Sequence, residues 1–520
     1  MALRFTRRGV LAGAAATSGL IAAPAIVRAQ QVFSGYPFRL GVAAGDPSPD
    51  GFVLWTRLAP DPLGEHGGMP MAPISVDWVV ASDSRFKTLV AKGSAVARPE
   101  LAHAVHVEVS GLAPGRPYWY RFFVGRERSM PGRVVTLPMA GAALRRLRFG
   151  VAGCQGYEDG LYTAYRHLAG EEVDFIYHYG DYIYEGRASP TPLDYGGNAR
   201  RFVRAHVGQN LYSLDDYRRR YAQYKMDQDL QAAHAATGWF TTFDDHEVEN
   251  NWVGGIDQNG TPPEAFALRR AAAFQAYYEH MPLRAASFPT AAGMRLHRRA
   301  VIGDLVDLHL LDTRQFRTDQ PCGDGFKAYC AGWDDRGAQV LGVDQDAWLA
   351  GNLRQKAARW NTIAQQVMMM PLDRREAGET APVRNMDSWG GYNAPRERLF
   401  DRMKGLGNVV VLTGDEHQNY AGELRTKGGE GDAVAVEFVG TSISSGGDGA
   451  DKRLGSDRIE SQNPFLKFIN DRRGYLLCDV NHERWETQFR TVERVTTPDA
   501  PVVTAKTATV AHGQPTLSLD

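Results

Sequence analysis

Four cysteines in 520 residues, 59 basic residues against 60 acidic ones, and no long apolar run beyond the first 29 positions are what this chain has little of. Each shortage excludes something. Four cysteines cannot staple a chain of this length, so a packed core must hold it. A net charge of −1 gives no basic excess for a nucleic-acid backbone. Without another stretch of about 18 strongly apolar residues, nothing after the N-terminus is expected to insert stably in a membrane. No internal repeat is visible. What is there, 43% hydrophobic and 23% charged residues, is the composition of a globular protein, and at roughly 150 residues per domain the length suits two to four domains, with two preferred.

The first 29 residues contain no acid and run Thr6-Arg7-Arg8-Gly9-Val10-Leu11, a mildly apolar stretch, then Val27-Arg28-Ala29. This resembles a twin-arginine export signal with a small-x-Ala cleavage site; an uncleaved anchor is the alternative. Such a signal implies the twin-arginine translocation machinery as a partner and a periplasmic or secreted mature protein. Losing its four arginines leaves 55 basic and 60 acidic residues, a charge of −5. That route carries folded proteins, which suits a chain that acquires metal before export. In an oxidising compartment Cys322 and Cys330, eight apart in a Gly/Asp-rich loop, are expected to pair. Cys478, in Tyr475-Leu476-Leu477-Cys478, reads as core, whereas Cys154 lies beside glycine just past a predicted strand.

Residues 38–138 read as all-β. Val53–Thr56, Ser75–Val80, His106–Val109 and Tyr118–Val124 alternate with period two between turn residues such as Pro114-Gly115. The stretch Val109–Arg121 resembles the turn and following strand of a fibronectin type III-like sandwich. After a boundary near 138–146 strands alternate with helices. Helices are predicted at Leu161–Ala169, Ser213–Ala236, Pro263–Glu279 and Asp344–Arg359, and strands at Val301–Leu311, Trp360–Met369, Asn408–Thr413 and Val434–Val439. Residues 146–492 are therefore expected to be a layered α/β domain, with 493–520 an extended tail over the surface.

Four short polar motifs carry the chemistry: Gly153-Cys154, Gly180-Asp181-Tyr182-Ile183-Tyr184-Glu185, Asp244-Asp245-His246-Glu247 and Gly414-Asp415-Glu416-His417. Three follow apolar runs (Leu147–Val151, Val173–Tyr177, Asn408–Leu412), so carboxylates, imidazoles and a thiol should converge at the carboxyl ends of a sheet. A carboxylate and a phenol three residues apart can reach one hard trivalent cation; Tyr182 rather than Tyr184 is the alternative ligand. Asp415 and His417 offer an oxygen and a neutral imidazole from one loop. Read individually, each motif could instead be a strand end, a solvated loop or a tight turn. In dinuclear phosphoesterases a similar place to 244–247 holds Asn-His-Glu and the first motif is Asp-x-His, so Asp245 and Cys154 are departures from that pattern.

With their order and spacing, the four motifs resemble the alkaline phosphatase D (PhoD-like) family. The likeness extends through Leu40–Pro47, Leu54–Arg57, His178–Gly186, Phe243–Asn251, Ala276–Arg284, Leu311–Gln315 and Leu412–His417. It implies an exported phosphomonoesterase and phosphodiesterase, an α/β metallophosphoesterase-like layered sandwich behind a smaller β-sandwich, and Fe(III) with Ca²⁺ in the site, a dinuclear Zn²⁺ or Mn²⁺ site being the alternative. Carried over by position, it makes Cys154, Asp181 and Tyr184 iron-side ligands, with Asp415 and His417 completing the cluster and Asp245 or Asn250 on the calcium side. The cations would activate a water for attack on phosphorus, His246 would assist the leaving oxygen, and Arg284 and Arg314 are candidate clamps on the anionic ester. Phosphate acquisition by a monomeric enzyme is the expected role. A phospholipase D-type or envelope-polymer phosphodiesterase and a non-catalytic envelope-binding protein are the competing readings.

Overall fold

The computed structural model describes residues 33–191 and 202–520, so the export-signal residues 1–29 lie outside it. Two mixed sheets face one another. The first has ten strands in the spatial order Ser518–Leu519, Val502–Ala511, Arg484–Val492, Gly474–Val480, Leu147–Ala152, Phe175–His178, Gly238–Thr241, Val42–Ser48, Gly51–Arg57, Ala104–Val109. Its four neighbouring strands that start at 147, 175, 238 and 42 run parallel. The second has seven, in the order Arg298–Ile302, Val306–Leu310, Trp360–Ala364, Val409–Thr413, Ala433–Val439, Asn419–Arg425, Leu466–Asn470, with the strands from 306, 360, 409 and 433 parallel.

Between the sheets Phe149, Tyr177 and Phe240 pack with Leu308, Leu412 and Phe438 in one buried layer. Each such side chain contributes roughly 1.5–3 kcal/mol of burial, which is what clamps the strand ends together. Helices Thr163–Ala169, Leu214–Lys225, Gln228–Ala236 and Pro263–His280 cover the outer face of the first sheet. Gly342–Leu353 and Asn393–Met403 cover that of the second. The order is helix, sheet, sheet, helix, as a layered α/β architecture requires.

The N-terminal region is all-β. Ile74–Ala81, Leu89–Ala97, Pro117–Val124, Glu127–Arg128 and Gly132–Val135 form a five-stranded sheet. Its Val76, Tyr120 and Phe122 pack on Phe52, Leu54 and Val107. One face of that sandwich, however, belongs to the ten-stranded sheet, since Ala44 and Gly45 pair in parallel with Gly238 and Trp239. The expected boundary near 138–146 divides the chain but not the sheet, and residues 33–520 form one unit.

Three local expectations need correction. The predicted strand Val301–Leu311 is a hairpin that turns at Gly303, with φ +57, because Asp304 accepts the amide of Leu144 and fixes the turn. The predicted helix Ser213–Ala236 is two helices. Asp227 has extended φ/ψ and caps the second by accepting from the amides of Asp229 and Leu230 at 2.9 and 3.0 Å. The tail after Val492 is not surface cover: Val502–Ala511 pairs along its length with Arg484–Val492 and buries Ala508 and Val510. Its Thr/Val/Ala alternation is the period of a strand. Cys322 and Cys330 are bonded, and Cys478 is buried. Among the described residues no helix is long and apolar enough to cross a membrane.

Candidate metal centre

All four motifs sit just beyond the carboxyl ends of parallel strands: Ala152, His178, Thr241 and Thr413 are the last strand residues before them. The loops are laced together by backbone bonds, Cys154 N to Gly180 O at 3.0 Å and Gln155 N to Asp181 O at 3.1 Å. The glycines that precede the ligands have a packing reason. A Cβ on Gly153 or Gly414 would lie 2.2 or 2.1 Å from the Tyr179 ring, so both loops close over one aromatic face. Cys154, Asp181, Asp415 and His417 all have positive φ, between 52° and 66°. Four non-glycine residues in that region at one place mark a backbone held against its local preference, at a cost of order 1–3 kcal/mol each, to aim side chains.

Those side chains form three overlapping donor groups whose ligand atoms lie within 4.8 Å of one another: Cys154 with Asp181 and His417, Asp181 with Asp245 and His246, and Asp244 with Asp245 and Asp415. Asp181 and Asp245 each belong to two. Tyr184 joins the first, its hydroxyl 3.1 Å from Asp181 Oδ2 and 3.0 Å from His417 Nε2, with Ser445 Oγ at 2.7 Å. Tyr182 does not: its hydroxyl meets His234 Nε2 at 2.8 Å in the helix-side core. Glu247 accepts from the amides of Asp181, Tyr182 and Asp244 at 3.1, 2.7 and 3.0 Å, so it ties two motifs together. His246 Nδ1 meets Glu185 Oε2 at 2.7 Å. Asn250 donates its backbone amide to Glu185 and its side-chain amide to Gln258, and it lines a groove of about 360 Å³ with His246, Tyr184 and Tyr157.

So many acids in so little water distort one another. Burial, with the Asp245 charge adding, pushes Asp181 up to about 7 against the pull of His246. Burial and neighbouring carboxylates raise Asp415 and Asp244 well above the usual range, although Arg314 pulls both down. Asp245 goes the other way: burial opposes its charge, but Arg314 and His246 outweigh it. Burial pushes the Cys154 thiol far up, helped by Asp181 and Asp415, and pushes His417 down to about 3, helped by Arg473. His246 is held well above the ordinary imidazole range by Glu185 and Asp245, against its burial.

A metal cluster fits this arrangement. Asp181 Oδ1 and Asp245 Oδ1 are buried without a hydrogen-bond partner, and buried carboxylate oxygens left so are costly unless a cation meets them. The donors beside them are a thiol, a phenol, imidazoles and carboxylates, all metal-ligating types. The sequence profile of the PhoD-like phosphatase family matches residues 149–489, and that of the family's N-terminal domain matches residues 22–138. The chain belongs to the PhoD-like phosphatase family. It is 46% identical over 512 residues to alkaline phosphatase D of Bacillus subtilis (strain 168), covering 96% of this chain and 86% of that protein. The structure of PhoD superposes with a TM-score of 0.90 at 46% identity, covering 94% of this chain and 93% of that one. Purple acid phosphatase PPD1 from yellow lupin (Lupinus luteus) seeds matches at TM-score 0.56 and 12% identity, covering 92% and 75%, and shares the fold. As a PhoD-like phosphatase, the chain is a phosphoric ester hydrolase.

Both arginine clamps expected from the sequence need correction. Arg284 donates to Asp46 O and Ser48 Oγ at 2.8 and 3.1 Å and pairs with Glu108 at 3.2 Å, all on the N-terminal strands. Arg314 is fully buried, with Nε 2.6 Å from Asp244 and Nη1 2.8 Å from Asp387. It is spent on neutralising acid, not held out to a substrate. Sequence reasoning left Asp244, Asp387, Glu185 and Ser445 out of the site. Asp244 and Glu185 had a signal, since both lie inside the motifs. Asp387 and Ser445 arrive from distant loops.

Proposed function

We propose that this PhoD-like phosphatase hydrolyses phosphomonoesters and phosphodiesters with a mixed Fe(III) and Ca²⁺ cluster. The observation that carries the reading is the pair of buried oxygens without a hydrogen bond on Asp181 and Asp245, the two residues shared between donor groups; the Asp245 oxygen has only Arg314, at 3.6 Å. Cys154, Tyr184 and His417 with Asp181 would hold the iron. Asp244, Asp245 and Asp415, an all-oxygen set, would hold calcium, with Asn250 as a further oxygen donor from the groove. Zn²⁺ or Mn²⁺ pairs are the alternative filling. When bound, the cations supply Lewis-acid binding of the phosphoryl oxygens and activation of water as the nucleophile.

The chain's own groups do the rest. Glu185 fixes His246 at Nδ1, which leaves Nε2 for the substrate, and the imidazolium favoured by Glu185 and Asp245 can give its proton to the departing alkoxide. The groove beside His246 receives the leaving group. Tyr184 is kept in place by Ser445. The Arg7-Arg8 motif supports export through the twin-arginine pathway to the periplasm or beyond, and the Cys322–Cys330 bond suits that compartment. Phosphate acquisition is the role that fits an exported phosphatase. The N-terminal sandwich is read as fibronectin type III-like on its turn and strand pattern. Elemental analysis of the mature protein with its visible absorption tests the metal assignment. Iron with calcium and a tyrosinate band that disappears in Tyr184→Phe is expected. Zinc or manganese without the band would remove iron and tyrosinate from the proposal, and no stoichiometric metal after reconstitution would overturn it.

A further inference from the structure

On the far side of the Leu214–Lys225 helix lies a cavity of about 50 Å³, walled by the end of the Gly51–Arg57 strand, the Gly64–Gly68 loop and the loop before the Ala104–Val109 strand. Its floor holds Arg57, only 3% exposed. Every partner of that guanidinium is neutral. Nε donates to Ala102 O at 2.8 Å, and Nη1 lies 3.5 Å from Arg218 O and 2.7 Å from His280 Nε2. His280 Nδ1 is 2.7 Å from Ala276 O and donates there, so its Nε2 is the lone pair that accepts from Arg57. The nearby acids are committed elsewhere: Glu279 grips Arg218 through both oxygens, at 2.6 and 2.7 Å, and the side chain of Asp215 is 65% exposed and beside Arg218. Among the described residues no carboxylate makes an ion pair with Arg57.

A buried guanidinium without a counter-charge is a costly thing for a fold to keep. Burial pushes it down to about 10, so it stays charged at neutral pH. The loop over it is built for close approach. Gly67, at φ +69, would place a Cβ 3.3 Å from Arg57 Nη2. Opposite, Ala102 and His103 both have left-handed backbone, at φ 52 and 56, two consecutive strained non-glycine positions. His103 lines the cavity, is 1% exposed, and its Nδ1 is buried with no partner. Arg218, Arg219 and His66 line the cavity too, as do two carboxylates, Asp215 and Glu65, the latter 90% exposed at its side chain and beside His66.

We propose that this cavity is a second anion site, apart from the metal centre, which takes inorganic phosphate as hydrogen phosphate. A volume of this order holds a few waters or one tetrahedral oxyanion and leaves no room for an ester's organic group. His103 selects among oxyanions. Its Nε2 is 3.1 Å from Ala72 O and donates to that carbonyl, so Nδ1 carries a lone pair and wants a donor. Hydrogen phosphate brings an O–H for Nδ1 and negative oxygens for Arg57. Sulfate brings only the oxygens.

Calorimetry of the metal-loaded full chain with inorganic phosphate at pH 8 tests this. Two phosphates per chain are expected, one at the metals and one here. Arg219→Ala should weaken only the second, by about tenfold, with kcat/KM unchanged, and Arg57→Gln should abolish it. If Arg57→Gln does not fold, Arg219→Ala and crystals soaked in phosphate decide, with density between Arg57 and His103 as the expected result. A single phosphate per chain, or a second one indifferent to Arg219→Ala, overturns the proposal. Sulfate binding as tightly as phosphate overturns the role of His103.

Discussion

Asp244 and Asp245 are neighbours in sequence, both 2% exposed, and the protein treats them in opposite ways. Asp244 is met at 2.6 Å by Arg314, which also holds Asp387. Asp245 lies 3.6 Å from the same guanidinium and keeps one oxygen without a hydrogen bond, as does Asp181. The first carboxylate is gripped by an arginine of the chain before any cation binds. The second is met less closely, by Arg314 and by His246, and leaves carboxylate oxygens without hydrogen bonds where three loops meet. How closely Arg314 reaches each carboxylate therefore sets how much of that carboxylate is left for a cation.

The sharpest way to break that comparison is Asp181→Asn. Removing a charge shared by two donor groups should lower kcat/KM on the order of a thousandfold. The chelator-treated variant should nevertheless be about 1 kcal/mol more stable than chelator-treated wild type, because like-charge repulsion is gone. Steady-state kinetics beside denaturant melts of the metal-free proteins check both, and a metal-free variant less stable than wild type would place Asp181 with the structural acids. Arg314→Met probes the other side. It strands Asp244, while Asp387 keeps Arg317 at 2.8 Å, and a loss of about 3–5 kcal/mol in chemical denaturation is expected; a loss under 1 kcal/mol would mean that Asp244 is not paired as described.

Glu437 is a third kind of buried acid, met by neither cation nor arginine but by the amides of Met369 and Met370, both at 2.7 Å. Burial still wins and pushes it up from 4.5 to about 7. The folded protein then holds a proton that the unfolded chain releases above pH 4.5. Stability from this group is full below that pH and declines as pH rises to 7, by on the order of 1–3 kcal/mol. Glu437→Gln should flatten the stability curve between pH 5 and pH 8 by that amount; an unchanged slope would sink the assignment. The smallest effect is expected at Arg284, whose partner Glu108 is 41% exposed at its side chain. Arg284→Ala should change stability by less than about 1 kcal/mol and kcat/KM by less than about twofold, and a larger kinetic loss would restore its role as a clamp.

Much of this was legible in the sequence because strand-end motifs are local. Gly180-Asp181 and Gly414-Asp415 lie just past their apolar runs, and parallel strands bring such ends together wherever they lie in the chain. Tyr182 and Tyr184 were not separable, since two residues apart in a loop, unlike a strand, fix no face; only the His234 contact sends Tyr182 to the core. Arg284 and Arg314 look alike in sequence because a guanidinium's partner is set by tertiary position. Asp387 reaches Arg314 from 73 residues away, and Ser445 reaches Tyr184 from 261. The hairpin at Gly303 was missed because apolar residues flank it on both sides.

The strand Val502–Ala511 has a consequence for how the molecule comes into being. It belongs to a sheet that also contains Val42–Ser48, and in that sheet Leu147–Ala152 pairs with Gly474–Val480. During synthesis the ribosome must release residues beyond 500 before that edge can close. Until then the hydrogen-bonding groups of Arg484–Val492 are exposed to other chains. A topology with such distant partners is slow to assemble and vulnerable to aggregation while it waits, and the pairing of Val502–Ala511 is among its latest steps.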